Sequence, residues 1–374
     1  MKNNNIVHLT SVHPRYDSRI FIKMCQSLAQ NGYLVSLIVA DGKGGEVKSK
    51  VKIVDVGEEK NRFLRITSTV FKVFKKAKEL DADIYHLHDP ELMPVALLLK
   101  LLKKKVVFDI HEDLPRQVLR KYWLPYMLRK PISLIVESLE FVTAKFVDAI
   151  VTVTPSIAKR FPFSRVIEVR NYALLSEFKD NSAENNSLKN KKLVTYIGGI
   201  SKDRGIAVMV NAIDIVDEKL TLGGRFQGTN LQEEIEVLEG WRNVDFLGWQ
   251  TRSQISKLLS NSLVGLVVLQ PTGDYEDALP VKMFEYMASG AAVIASNFPL
   301  WREIINEVQC GLCVDPTSPV EVAGAINSLL DKPEMAIGMG LRGRRAVLDR
   351  YNWNTELSKL LALYEDLLFY DENK

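Results

Sequence analysis

The chain has little cysteine. Cys25, Cys310 and Cys313 are three in 374 residues, too few for a disulfide framework and suited to a reducing compartment. The first residues, MKNNNIVHLTSVHPRYDSR, lack an apolar core, so no secretory signal is expected. Long hydrophobic runs are missing too. The longest, Leu92 to Leu102, is interrupted by Lys100 and is too short to cross a bilayer. These absences predict a soluble, cytoplasmic protein. With 47% hydrophobic and 25% charged residues, 21 Gly and 14 Pro, the composition is that of a globular protein and excludes extended disorder and collagen-like repeats. At roughly 150 residues per domain the length predicts two domains, each with its own core.

The net charge of +3 conceals an asymmetry. Residues 1–180 carry 30 Lys and Arg against 20 Asp and Glu, and residues 181–374 carry 19 against 26. A basic half followed by an acidic half points to two domains with different partners. Nucleic acid is not among them, because the cations are not joined to an aromatic stacking pattern or a reader motif. Three stretches, 62–78, 97–105 and 116–130, interleave cations with large apolar residues, as in RQVLRKYWLPYMLRK. Such stretches suit the surface of an anionic membrane, although the leucines of 97–105 are expected to pack under the sheet.

Short β-branched runs alternate with amphipathic stretches along both halves. Strands are predicted at 5–10, 34–39, 51–56, 83–87, 106–110 and 149–153, and again at 193–197, 219–223, 244–247, 263–269 and 292–295. The polar run DNSAENNSLKNKK between the two series reads as a linker. Strands alternating with helices predict parallel sheets covered on both faces, with ligands at the carboxyl ends of the strands.

The strand ends are where the chemistry-bearing residues fall. All five histidines (His8, His13, His86, His88, His111) lie within the first 111 residues. His8 falls inside the first strand, where a core histidine is expected. His86 and His88 alternate on one strand face, which allows a metal pair or one packed and one cleft-lining imidazole. His111 ends the strand VVFDI and is expected to face a ligand. The first loop, SVHPRYDSR, has no glycine, so a dinucleotide fingerprint is absent. It offers His13, Arg15, Asp17 and Arg19 instead, with Asp17 placed either for a ligand or to cap the next helix. In the second half, YIGGISKDRG sets Gly198 and Gly199 after a strand and Arg204 at the next helix start, a pattern for holding an anion. Lys282 and Glu285 lie one helical turn apart, as site residues on a shared face or as a surface ion pair. Cys310-Gly-Leu-Cys313 has redox spacing but straddles a glycine turn entering a short strand, which reads as packing.

In combination these segments resemble the retaining glycosyltransferases of family 4. HLTSVHPRYDSRIF, DIYHLHDPEL, KVVFDIHED, VTVTPSIAKRF, VRNYALLSEF, YIGGISKDRGI, FLGWQ, LPVKMFEYMASGAAVIAS, REIINEVQCGLCV and YNWNTELSKLLALYEDLL carry the resemblance in order over nearly the whole chain. It implies the GT-B fold: two Rossmann-like doubly wound α/β domains facing across a cleft. Their extents would be 1–178 and 193–352, with a linker at 179–192 and a C-terminal helix, 353–374, returning to the first domain. It implies a retaining transfer, without metal or other cofactor, from a UDP- or GDP-sugar to a lipid-linked glycan acceptor in bacterial surface-polysaccharide synthesis (O-antigen or capsule), at the inner face of the membrane.

The resemblance also assigns roles. Arg204 stands where the family has a diphosphate-contacting lysine, and Gly199 where an arginine is frequent. Glu285 matches the second acid of the E-x7-E motif, which holds the ribose; Asp277, with Glu276 beside it, stands at the first. Lys282 adds a phosphate contact, Gly198 and Gly199 lie along the donor, and His111 matches the histidine near the donor sugar. His13, Asp17, Arg19 and His88 fall on the acceptor side. A non-hydrolysing sugar-nucleotide epimerase and a non-catalytic sugar-nucleotide-binding subunit are the competing readings of this fold.

Overall fold

The computed structural model describes residues 4–61, 64–121, 124–182, 192–272 and 275–369. Most of the predicted linker, and the Arg62 and Trp123 of the basic stretches, lie outside the described residues. The chain divides into two compact units, one made of residues 1–171 and 356–374 and the other of residues 172–355.

The first unit is built on an eight-stranded sheet of β1 (Asn5–Leu9), β2 (Leu34–Val39), β3 (Glu46–Lys48), β4 (Val51–Asp55), β5 (Ile84–Leu87), β6 (Lys105–Ile110), β7 (Ala149–Thr152) and β8 (Val166–Glu168). Their order is β3-β4-β2-β1-β5-β6-β7-β8, parallel except for the β3–β4 pair. Six of these strands follow the predicted runs within a residue or two. β3 and β8 escape the sequence pattern because each has three residues at a sheet edge and no apolar run. The order reverses between β1 and β5, so the loops after these two strands open side by side, and this is where an open α/β sheet takes its ligand.

The second unit repeats the plan with six parallel strands: β9 (Leu193–Ile197), β10 (Leu220–Gly223), β11 (Val244–Gly248), β12 (Ser262–Val267), β13 (Ala292–Ser296) and β14 (Gly311–Val314), ordered β11-β10-β9-β12-β13-β14. Its switch point lies between β9 and β12. Both faces are covered. Helices Ile206–Asp214 and Pro319–Leu330 pack on one apolar cluster, and Val281–Ser289 and Pro299–Val308 on the other. Strand β12, SLVGLV, is buried at every position, which is why it reads as a continuous run rather than an alternation.

The last helix, Trp353–Phe369, is shared: from Glu356 onward it belongs to the first unit. There Leu360, Leu363 and Tyr364 are buried, and Tyr33 packs edge-on against Tyr364. Two Rossmann-like units with parallel sheets are therefore present, and the terminal helix rejoins the first of them.

Candidate functional site

In the second unit the site begins at the end of β9. Gly198 and Gly199 follow the strand, and Gly224, at φ 153°, follows β10. A Cβ on Gly224 would stand 1.8 Å from the Gly198 carbonyl oxygen, so the two loops approach closely only as glycines. Between them opens a cavity of about 230 Å³ lined by Gly198, Gly199, Arg225, Gln227, Trp249 and Gln250, among others. Arg204 Nη1 and Tyr196 Oη both donate to the Gly199 carbonyl, at 3.1 and 2.7 Å.

Lys282 reaches the same place from helix Val281–Ser289. Its Nζ lies 3.9 Å from the centre of the Tyr196 ring, and a Cβ on Gly198 would stand 2.6 Å from that nitrogen. The ammonium is buried with no hydrogen-bond partner. Burial first, and the Arg204 charge second, push its pKa down to about 7, with Glu285 opposing. Lys282 and Glu285 therefore do not form the ion pair that their spacing allows. Glu285 Oε1 instead accepts from Arg252 Nη2 at 2.8 Å, and Arg252 also pairs with Glu177. Asp277 and Glu276 are exposed on the loop before the helix, which Trp301 anchors by donating from Nε1 to the Ala278 carbonyl at 2.6 Å.

In the first unit, Asp89 at the end of β5 gathers the loop after β1. Its carboxylate accepts from Thr10 Oγ1 at 2.8 Å, from the Ser11 amide at 2.5 Å, and faces His13 Nδ1 at 2.7 Å. Burial alone would raise the Asp89 carboxyl; His13 and these donors outweigh it and bring it to about 2. Burial would likewise lower His13, but Asp89 raises it. The His111 ring lies 5.3 Å from that of His13; burial, with Arg19 and His13, lowers its pKa against the pull of Asp109. His13 and His111 thus stand together at the open edge of the switch point.

The other acceptor-side residues are engaged within the unit. Asp17 caps the following helix, accepting from the amides of Arg19 and Ile20 at 2.8 and 2.9 Å. Arg19 is buried and holds Asp109 through two bonds of 2.9 Å, and His88 meets the same carboxylate at 3.1 Å. Cys310 and Cys313 show no activation: burial pushes their thiols up to about 12 and 11. Sequence reasoning missed Arg252, Glu177, Asp109 and Tyr364 as parts of the two sites. Each acts on a residue at least 20 positions away or on no recognisable motif. Trp249 and Gln250 carry a signal in FLGWQ, a segment whose residue types alone point to no role.

Residues 18–162 match the Glycosyltransferase Family 4 model and residues 177–346 the Glycosyl transferases group 1 model. The chain belongs to the GT-B glycosyltransferases. Among curated proteins it is 27% identical over 191 residues to Spore coat protein SA of Bacillus subtilis, an alignment spanning 48% of this chain and 50% of that protein; the chain thus covers about half the length of this relative. It is 22% identical to Phosphatidyl-myo-inositol mannosyltransferase of Mycolicibacterium smegmatis over 79% of this chain and 74% of that one. Among solved structures, HepE of Anabaena in complex with UDP superposes with a TM-score of 0.73 at 14% identity, covering 97% of this chain and all of that one. No helix among the described residues of this glycosyltransferase is long and apolar enough to cross a membrane.

Proposed function

We propose that this protein is a retaining glycosyltransferase that moves a sugar from a UDP- or GDP-sugar to a lipid-linked glycan acceptor at the inner face of the cell membrane, in the synthesis of a bacterial surface polysaccharide. The observation that carries the donor half is Lys282. A fully buried ammonium without a hydrogen-bond partner, beside Arg204 and a glycine-lined cavity at a sheet switch point, calls for an anion. A nucleotide diphosphate supplies it. Its nucleoside fits the cavity between Gln227 and Trp249, and Glu285 keeps one carboxylate oxygen for ribose hydroxyls while the other accepts from Arg252. As the glycosidic bond to the diphosphate breaks, negative charge grows on the leaving phosphate. Arg204 and Lys282 stabilise it in a dry site where each charge acts strongly. Retention follows if the acceptor attacks from the same face and the leaving phosphate takes its proton. That UDP occupies the related fold of HepE supports the donor class.

The acceptor half rests on helix Tyr126–Phe146, which is turned inside out. It buries Ser133, Glu140 and Thr143 and exposes Met127, Leu134, Ile135, Leu139 and Phe146. Glu140 is held inside by Arg160 Nη2 at 2.5 Å, and Ser133 donates to the Pro115 carbonyl at 2.8 Å. An apolar face flanked by Arg120, Lys121, Arg129 and Lys130 fits the headgroup layer of an anionic membrane. The name of the mycobacterial relative points the same way.

The test is a panel of UDP- and GDP-sugars, screened by titration calorimetry and by release of nucleotide with a lipid-linked acceptor extract. One donor is expected to bind and turn over, also in excess EDTA, because Arg204 and Lys282 meet the diphosphate charge. Interconversion of the sugar nucleotide without acceptor would establish an epimerase instead, and binding without turnover a non-catalytic subunit.

A further inference from the structure

Two opposite charges one turn apart on helix Val281–Ser289 are not paired with each other. Lys282 and Glu285 occupy positions where a lysine and a glutamate ordinarily meet across a helical turn. Lys282 Nζ lies instead over the Tyr196 ring, 3.9 Å from its centre, and against the bare backbone of Gly198, buried with no hydrogen-bond partner. An unpaired buried ammonium is costly, and the carboxylate that would relieve it is close at hand. Something must hold that carboxylate away.

Arg252 does so. It opens helix Arg252–Asn261, whose start is fixed by a capping box: Thr251 Oγ1 accepts from the Gln254 amide, and the Gln254 side chain accepts from the Thr251 amide at 2.9 Å. From there the guanidinium reaches between two carboxylates. Its Nε donates to Glu177 Oε1 at 3.2 Å and its Nη2 to Glu177 Oε2, while Nη2 also donates to Glu285 Oε1 at 2.8 Å. Glu177 is tied to the same helix, because Ser256 Oγ donates to its carbonyl at 2.6 Å. All of these residues belong to the second unit. A planar guanidinium gripped by one carboxylate presents its remaining N–H groups in a fixed direction, and Glu285 takes one of them. Desolvation favours the same choice. Pairing with Lys282 would draw Glu285, still 14% exposed, into a buried place, whereas Arg252 is 49% exposed and keeps part of its hydration.

The groups that face Lys282 are Arg204 after β9, the Tyr196 ring of β9, and Glu285 of its own helix. Of these only Glu285 is an anion. We propose that Arg252, anchored by Glu177, is a positioning residue of the donor site: it keeps Glu285 off Lys282, so that the lysine stays unpaired until a diphosphate arrives. Without Arg252, Glu285 closes on Nζ, and the protein's own carboxylate fills the place of the anion. The inference rests on the donor reading only in naming the diphosphate; the separation of Lys282 from Glu285 is a property of the free protein.

The free protein can be tested directly. 13C NMR of lysine ε-carbons in the full-length chain, with the Lys282 signal assigned by its loss in Lys282→Met, gives the titration midpoint of this one amine. In the wild type the midpoint is expected at about pH 7. In Arg252→Gln, a change at a half-exposed position, it should rise by about one unit or more as Glu285 pairs with the ammonium. In Arg252→Gln/Glu285→Gln it should return to the midpoint of Glu285→Gln alone. An unchanged midpoint in Arg252→Gln overturns the proposal. So does a rise that persists when Glu285 is neutral, because Arg252 would then act on Lys282 by another route. Calorimetry with UDP-glucose and GDP-mannose adds the ligand. At about pH 6 the lysine is charged with or without Arg252. Whichever nucleotide the wild type binds should there bind Arg252→Gln about tenfold or more weakly, since it must displace Glu285; equal affinities would remove Arg252 from the donor site. If the wild type binds neither nucleotide, the donor reading fails while the lysine titration still decides whether Arg252 keeps the two side chains apart.

Discussion

Lys282 is expected to change its charge state when an anion arrives, and this can be measured. In the free protein burial brings its pKa to about 7, so below that pH the ammonium is already charged and above it the site is increasingly neutral. A diphosphate beside Nζ raises that pKa, and binding then takes up a proton. Affinity for a nucleotide diphospho-sugar, whose phosphates do not titrate near neutrality, is expected to be flat below about pH 7. It should weaken as pH rises, by up to about tenfold per unit. In Lys282→Met the affinity should be lower and the slope absent. Calorimetric titrations across this range decide it, and a flat wild-type profile would remove Lys282 from the donor site. Arg204→Ala and Glu285→Gln are each expected to cut turnover by about a hundredfold or more with the fold intact, through lost phosphate charge and lost ribose positioning. Wild-type rates in both would sink the assignment. Gly198, Gly199, Arg204 and Lys282 were legible in the sequence because they crowd the ends of one strand and one helix. The arginine that holds Glu285 was not: Arg252 lies 33 residues away, and no periodicity links the two.

At the scale of the element, helix Tyr126–Phe146 departs furthest from what the sequence pattern implied. The basic-aromatic stretch of the sequence ends at Lys130, yet the exposed apolar face continues through Leu134, Ile135 and Leu139 to Phe146. An apolar stripe normally points inward, and here Ser133 and Glu140 take that place because Pro115 and Arg160 offer them partners, with Thr143 buried beside them. Helix Met93–Leu101 departs too. Its leucines were expected under the sheet, and Leu99 is there, but Leu98 and Leu101 are exposed, since a helix apolar all round has no stripe to mark its inner face. If the surface docks on lipid, co-sedimentation with anionic vesicles should be strong at low salt and weaken as salt rises. It should weaken again when Arg116, Arg120, Lys121, Arg129 and Lys130 are neutralised. Replacing Met127, Leu134 and Ile135 by serine should reduce the binding that survives high salt. Equal binding to neutral vesicles, or none to either, would assign the basic half to another task.

For the whole molecule, the first unit is assembled from both ends of the chain, residues 1–171 and 356–374. The two-domain plan was legible from the double series of strands, and the returning helix from the resemblance of YNWNTELSKLLALYEDLL. The sequence could not show what that helix completes. Tyr364 is fully buried against Tyr33 and His86, and its hydroxyl lies between His86 Nδ1 at 2.5 Å and His8 Nε2 at 3.5 Å. In the same helix Glu356 accepts from the Arg170 amide at 2.8 Å and from Lys359 at 2.8 Å. Truncating Tyr364 therefore acts on residues 278 and 356 positions earlier in the chain, His86 and His8. Tyr364→Ala is expected to cost about 3–5 kcal/mol in the first unit, the range for emptying a buried aromatic site. Tyr364→Phe should cost about 1–2 kcal/mol, because the ring stays and only the hydroxyl's two partners are lost. Hydrogen exchange separates the units. Protection should fall in β1, β2, β5 and helix Trp353–Phe369, and remain unchanged in β9, β10, β12 and β13, whose cores contain nothing of that helix beyond its first turn. Equal loss of protection in both sheets would mean that the two units unfold as one, and that the terminal helix stabilises the whole chain rather than the unit it rejoins.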